Sequence, residues 1–192
     1  MTSRPRIHVL EPIHPDAMAR LRKAAHVLTP EDAFPSSCDA LIVRARKITT
    51  NDIIACPNLK VIGKHGAGLD AIDVATATER GIAVLSTPGA NAASVADLAI
   101  GFALSLLRQI HTVSNSTKAG VLLTADQRSG WDMSELQCGV FGVGAIGRAT
   151  ARRLVGGFGA RVQAFDPGIP HHVWPEGIDR RDTLEALLET TQ

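Results

Sequence analysis

The stretch Gly139-Val140-Phe141-Gly142-Val143-Gly144-Ala145-Ile146-Gly147 decides how the chain folds. An apolar run enters a turn with the spacing G-x-G-x-x-G and leaves it as a helical sequence. Glycine is common, so the spacing alone is a weak signal. The context makes it specific: Asp166 stands 19 positions past Gly147, at the end of the next apolar run, Arg161 to Phe165. Strand, glycine turn, helix, strand and acid in that order form the setting of a dinucleotide site. Gly142 allows the tight turn, Gly144 lets the backbone approach a pyrophosphate, and Gly147 lets the helix pack close to the sheet. Free N–H groups of Ala145 and Ile146, with the helix dipole behind them, would hold the pyrophosphate. Asp166 would accept from the adenosine ribose hydroxyls and repel a 2′-phosphate, which predicts NAD as cofactor in preference to NADP. The competing reading is a glycine-rich strand–helix turn that binds nothing.

Upstream, short apolar runs alternate with helical ones. Strands are predicted at Arg6 to Leu10, His26 to Leu28, Ala40 to Val43, Lys60 to Gly63 and Ile82 to Leu85. Helices are predicted over Asp16 to Ala25, over Thr50 to Ala55 with Thr49 or Thr50 as cap, and over Ile72 to Glu79 with Gly81 ending it. Apolar strands separated by helices indicate a parallel sheet covered on both faces. The chain is therefore expected to be α/β. Two parallel-sheet domains are predicted, a first over 1–90 and a second over 91–192, joined by one long helix from Ala92 to about Lys118. In that helix Asn91 is the expected cap, and Asp97 lies near enough to the start to favour the dipole. Gly120 to Cys138 is read as a linker, and the helix after the glycine turn is read to end at Gly156-Gly157. A short strand near Gly177 to Asp179 and a helix from Thr183 to Glu189 follow.

A second glycine-rich turn, Gly63-Lys64-His65-Gly66-Ala67-Gly68, also follows a strand. Bare backbone at Gly66, Ala67 and Gly68 can form an anion-binding concavity, and Lys64 adds positive charge. The pattern suits a substrate carboxylate; a flexible turn with a solvated lysine remains open. His65 has no assignable carboxylate partner and reads as a loop residue. His171-His172 are adjacent, which suits a surface loop better than a metal site. Ser94 and Asp97 could face a cleft, but capping and solubility explain them equally well, and burial explains Cys138.

Lys and Arg total 20 against 19 acids, a net charge of +1. So small a charge creates no field for nucleic acid or anionic lipid, and neither partner is expected. Met1 to Arg6 carries no apolar segment behind it, so no signal peptide is expected. Val95 to Ile110 is interrupted by Asp97 and Arg108 and is too short and polar to span a bilayer. Three widely spaced cysteines suggest reduced thiols and a cytoplasmic protein.

Taken in order, Lys60 to Asp73, Thr87-Pro88-Gly89-Ala90-Asn91, Gly142 to Gly147 and Ala164-Phe165-Asp166-Pro167 closely resemble the D-isomer-specific 2-hydroxyacid dehydrogenases. That family includes phosphoglycerate dehydrogenase and hydroxypyruvate reductase. The resemblance runs from about Ile7 to the C-terminus. It implies two flavodoxin- or Rossmann-like domains with the active site between them, the first binding a small 2-hydroxy or 2-oxo acid through Gly66, Ala67 and Gly68. The second would bind NAD through the residues named above. The chain departs from the pattern in three places. Ala71 stands where asparagine is usual, Asp97-Leu98 replaces a Glu-His pair, and the loop between Trp131 and Gly139 is short. No residue here matches the family's catalytic arginine, glutamate and histidine or its returning C-terminal helix. The resemblance thus implies an NAD-dependent oxidoreductase whose second domain is incomplete and whose 192 residues alone are inactive. A non-catalytic NAD-binding regulatory module and an inactive gene fragment are the alternatives. In the doubly wound order the strand before the glycine turn is central, so its far edge is expected to lie open. An open apolar edge predicts marginal stability or reliance on oligomerisation, for instance as a homodimer.

Overall fold

The computed structural model describes residues 4–34 and 37–191. The signal-peptide expectation falls partly outside them, at residues 1–3. The chain divides into two compact units, Met1–Ala90 and Asn91–Gln192.

In the first unit, β1 (Arg6–Val9), β2 (His26–Leu28), β3 (Ala40–Val43), β4 (Val61–Lys64) and β5 (Ala83–Leu85) form one sheet. All its pairings are parallel and its order is β2-β1-β3-β4-β5. That is the flavodoxin-like order, in which the winding reverses between β1 and β3. Three helices make the crossovers: α1 (Pro15–Ala24), α2 (Thr50–Ile54) and α3 (Val74–Glu79). Thr49 and Asp52 form a reciprocal capping box that starts α2, and the Asp73 side chain caps α3. The core of this unit gathers Leu41, Val43, Ile53, Ile62, Ile72 and Ala77, so α2 and α3 close one face of the sheet. The opposite face is less covered, because α1 buries none of its side chains fully. β1 is not apolar throughout: His8 is buried, with Nε2 2.8 Å from the Thr29 carbonyl oxygen.

The two thiols of this unit are far apart in sequence but adjacent in space. The Cys38 and Cys56 sulfurs lie 3.8 Å apart in the core. Burial pushes the Cys38 thiol up to about 12, so it stays protonated and unreactive at neutral pH.

The second unit opens with α4 (Ala92–Leu107) and α5 (Ile110–Lys118), bent by 63° at the break between them. The single long helix expected from Ala92 to Lys118 is therefore two. Gln109 adopts a left-handed backbone (φ 50°), which an α-helix cannot continue through, and its side chain donates to the Ser129 carbonyl at 2.6 Å. Nor does Asn91 cap α4 with its side chain. Among the described residues no single helix is long and apolar enough to cross a membrane.

The stretch read as a linker contains two 3-10 turns, Asp126–Arg128 and Met133–Glu135, and Met133 and Leu136 are buried. Its last two residues already belong to β6 (Gln137–Phe141), which pairs in parallel with β7 (Arg161–Phe165) and through it with β8 (Asp179–Arg180). α6 (Ala145–Phe158) crosses between β6 and β7, and α7 (Leu184–Leu188), capped by Thr183, follows β8. α6 does not end at Gly156-Gly157. It runs through them and stops at Gly159, whose φ of 62° is the left-handed conformation that glycine adopts without strain. The core here joins Ile100, Met133, Val143, Ala151, Leu154, Val162 and Ile178. β6 lies at one end of the sheet order.

Candidate functional site

The glycine turn lies where a strand's carboxyl end meets a helix's first turn. β6 ends at Phe141 and α6 begins at Ala145. Gly142 takes φ 88°, a conformation that side chains resist. A Cβ on Gly147 would meet the Gly142 carbonyl oxygen at 1.9 Å, so only glycine lets the helix lie this close to the turn. A Cβ on Gly144 would meet nothing within 4 Å; it would project into the open space before the helix. No side chain caps α6, and no acceptor among the described residues takes the N–H of Ala145 or Ile146. Two aligned donors thus face that space with the positive end of a four-turn helix behind them.

Asp166, one residue past β7, turns toward the same turn. Its Oδ2 accepts from the Val143 N–H at 2.7 Å and its Oδ1 from the Gly168 N–H at 2.8 Å. The parallel register that sets Phe141 beside Phe165 brings the two loop starts together. Each carboxylate oxygen keeps a further lone pair for a ligand hydroxyl. Arg148, which sequence reasoning passed over, folds back so that Nε donates to the Val143 carbonyl at 2.9 Å, adding a cation to the turn. Asp97 is ion-paired: it accepts from Arg153 Nε at 2.6 Å and ties α4 to α6.

In the first unit the second glycine turn follows β4. Gly66 has its N–H engaged, donating to the Thr87 hydroxyl at 3.0 Å and the Lys64 carbonyl at 3.0 Å. The N–H groups of Ala67 and Gly68 meet no acceptor among the described residues. Thr87 fastens the turn to the segment after β5, donating its own N–H to the Gly66 carbonyl at 2.9 Å. Lys64 is not freely solvated, because Nζ donates to the Arg44 carbonyl at 2.5 Å. Beside it a groove of about 530 Å³ opens between α1 and the ends of β3 and β4, with Ile13, Ala17, Leu21 and Ile42 on its floor. His65 is exposed on its rim. His171 sits in a 3-10 turn, 3.8 Å from Asp182, as a surface pair. The signals missed in sequence were thus Thr87, Arg44 and Arg148; only Thr87, inside Thr-Pro-Gly-Ala-Asn, carried a mark that could have found it.

The model of the D-isomer specific 2-hydroxyacid dehydrogenase catalytic domain matches residues 7–190. The chain belongs to that family. Among its relatives, hydroxypyruvate reductase of Thermotoga maritima is 36% identical over 191 residues, covering 95% of this chain and 62% of that protein. D-3-phosphoglycerate dehydrogenase of Methanocaldococcus jannaschii is 36% identical over 193 residues, covering 96% of this chain and 36% of that one. The chain thus spans less than two thirds of either relative. In structure it is similar to a D-isomer specific 2-hydroxyacid dehydrogenase, described as NAD-binding, from Polaromonas sp. JS6 66. The TM-score is 0.86 at 28% identity, over 97% of this chain and 63% of that one. The α/β architecture with parallel sheets is that of the 2-hydroxyacid dehydrogenases, as the sequence resemblance implied.

Proposed function

We propose that this chain holds NAD on its second unit and the acid group of a small 2-hydroxy or 2-oxo acid on its first. It would do so as the binding part of an NAD-dependent 2-hydroxyacid dehydrogenase. One observation carries the reading. The open N–H groups of Ala145 and Ile146 and the carboxylate of Asp166 converge on one turn, with Asp166 Oδ2 2.7 Å from the Val143 nitrogen. Gly142, Gly144 and Gly147 shape that turn for a close-lying pyrophosphate, and the space a Cβ on Gly144 would enter is where the group would sit. Bound NAD supplies a nicotinamide ring that accepts or returns a hydride. The chain's own residues bind and orient it: helix N–H groups face the diphosphate, and Asp166 grips the ribose and disfavours a 2′-phosphate. On the first unit, the N–H groups of Ala67 and Gly68 would receive the substrate carboxylate, with Lys64 nearby and Gly66 shaping the turn. No residue of this chain is assigned the proton transfer, and turnover by these residues alone is not expected.

Titration of the purified chain with NADH and NADPH, followed by nicotinamide fluorescence, tests the cofactor site. NADH is expected to bind more tightly, and Asp166→Ala to weaken NADH by about tenfold or more, the scale of a lost hydrogen bond to a charged group. Equal binding of the two cofactors, or an Asp166→Ala variant indistinguishable from the parent, would overturn the assignment.

A further inference from the structure

Glu11 follows the end of β1, and its carboxylate is held by three consecutive backbone donors. The N–H of Arg44 donates to Oε2 at 2.5 Å, that of Ala45 to Oε1 at 2.7 Å, and that of Arg46 to Oε2 at 3.1 Å. Successive N–H groups of this kind make a concavity for an anion, and here the chain fills it with its own side chain. Burial works against the charged form of Glu11, but the three N–H bonds and the Arg44 charge outweigh it and hold the carboxyl below the usual range. On the other side of the turn, Lys64 Nζ rests on the Arg44 carbonyl at 2.5 Å. One residue's backbone therefore links two side chains: Arg44 gives its N–H to Glu11 and receives the ammonium of Lys64 on its carbonyl. The three strands that carry these contacts, β1, β3 and β4, are successive neighbours in the sheet. The turn, Arg44-Ala45-Arg46-Lys47, carries three cationic side chains in four residues. Glu11 sets a carboxylate against the backbone of this turn and beside the Arg44 charge. Of the two nearest arginines, Arg46 already lies over the Phe34 ring at 4.8 Å and 3.9 Å from Asp52.

We propose that Glu11 is a positioning residue for the acid-binding face of the first unit. By fixing the turn at 44–46 it fixes the Arg44 carbonyl, and that carbonyl sets where the Lys64 ammonium stands. The proposal rests on the reading that Lys64 adds positive charge beside the substrate's acid group, but its main test needs neither substrate nor cofactor.

Two quantities are measured on the whole labelled chain and on Glu11→Gln: amide exchange at Ala45 and Arg46, and the rate at which acetic anhydride modifies Lys64 relative to Lys23. In Glu11→Gln, exchange is expected to accelerate about tenfold and Lys64 modification about threefold, while Val9 and Leu41 keep their protection. Glu11→Asp, which keeps the charge on a shorter arm, should fall between; the same criteria apply to it should the glutamine variant not fold. Lys64→Met should leave the 44–46 amides protected, because the dependence runs from Glu11 to Lys64. An opened turn with unchanged Lys64 modification would overturn the proposal. So would an unaltered turn, or an equal loss of protection at Val9 and Leu41. Glyoxylate, titrated while the Ala67 and Gly68 amide resonances are followed, reads the substrate assignment separately. No shift in the parent chain overturns that assignment, whereas equal affinity in parent and Glu11→Gln overturns the part given to Glu11.

Discussion

Gly147 has no room for a side chain: a Cβ would fall 1.9 Å from the Gly142 carbonyl oxygen and 3.0 Å from its carbonyl carbon. Both are backbone atoms, so the clash cannot be relieved by a rotamer change. Gly147→Ala is expected to destabilise the second unit by about 3 kcal/mol, through displacement of α6 from β6. Urea unfolding followed by the exposed Trp131 checks this; an unchanged midpoint would mean that the helix does not pack as described. At Gly144 the same added methyl meets nothing, so any cost there should appear in nucleotide binding and not in stability. The roles of these glycines could be read from spacing because each is a requirement on the backbone. The clasp of Glu11 could not, since 33 positions separate it from Arg44 and only the pairing of β1 with β3 brings them together.

Among the elements, α6 carries a weakness that its sequence disguises as an ending. Gly156 and Gly157 lie inside the helix, and a Cβ at either would meet nothing within 4 Å. Glycine in a helix interior costs roughly 0.5–1 kcal/mol relative to alanine. Gly156→Ala and Gly157→Ala should each raise the stability of the second unit by that amount in thermal melts, with nucleotide affinity unaltered; a loss would show that the helix ends earlier. The paired glycines misled because glycine marks both helix ends and flexible interiors, and the deciding fact is the left-handed Gly159 two residues on. The break between α4 and α5 was hidden for the opposite reason. Gln109 is an unremarkable residue for a helix, and the periodic apolar positions continue across it. What bends the chain there is a tertiary contact, the Gln109 side chain on the Ser129 carbonyl together with the Trp131 N–H donating to the Leu107 carbonyl at 3.0 Å.

At the scale of the whole molecule, each unit has its own apolar core, and the second also leaves a ridge uncovered. Leu98, Phe102, Leu106 and Ile110 recur every four residues along α4 and into α5 and are 56%, 63%, 80% and 52% exposed. A ridge of that kind is costly in water, and self-association at micromolar concentration is expected. Leu106→Glu should shift sedimentation toward the monomer without lowering the melting temperature; an unchanged distribution would place any association elsewhere. β6 lies at the end of its sheet order, the open edge expected from the strand order, with a groove of about 350 Å³ beside it. By itself the sequence determined the α/β class, the succession of strands along the chain and the glycine turn with its acid. These follow from local rules: residue periodicity, backbone freedom and the short distance from a strand to its own crossover helix. The tertiary structure alone decided which distant groups meet: Glu11 on the 44–46 turn, Cys38 beside Cys56, Asp97 on Arg153, Gly66 on Thr87. Those pairings depend on which strands become neighbours in the sheet or which helices pack together, and both are set by the burial of whole faces rather than by any one stretch of chain.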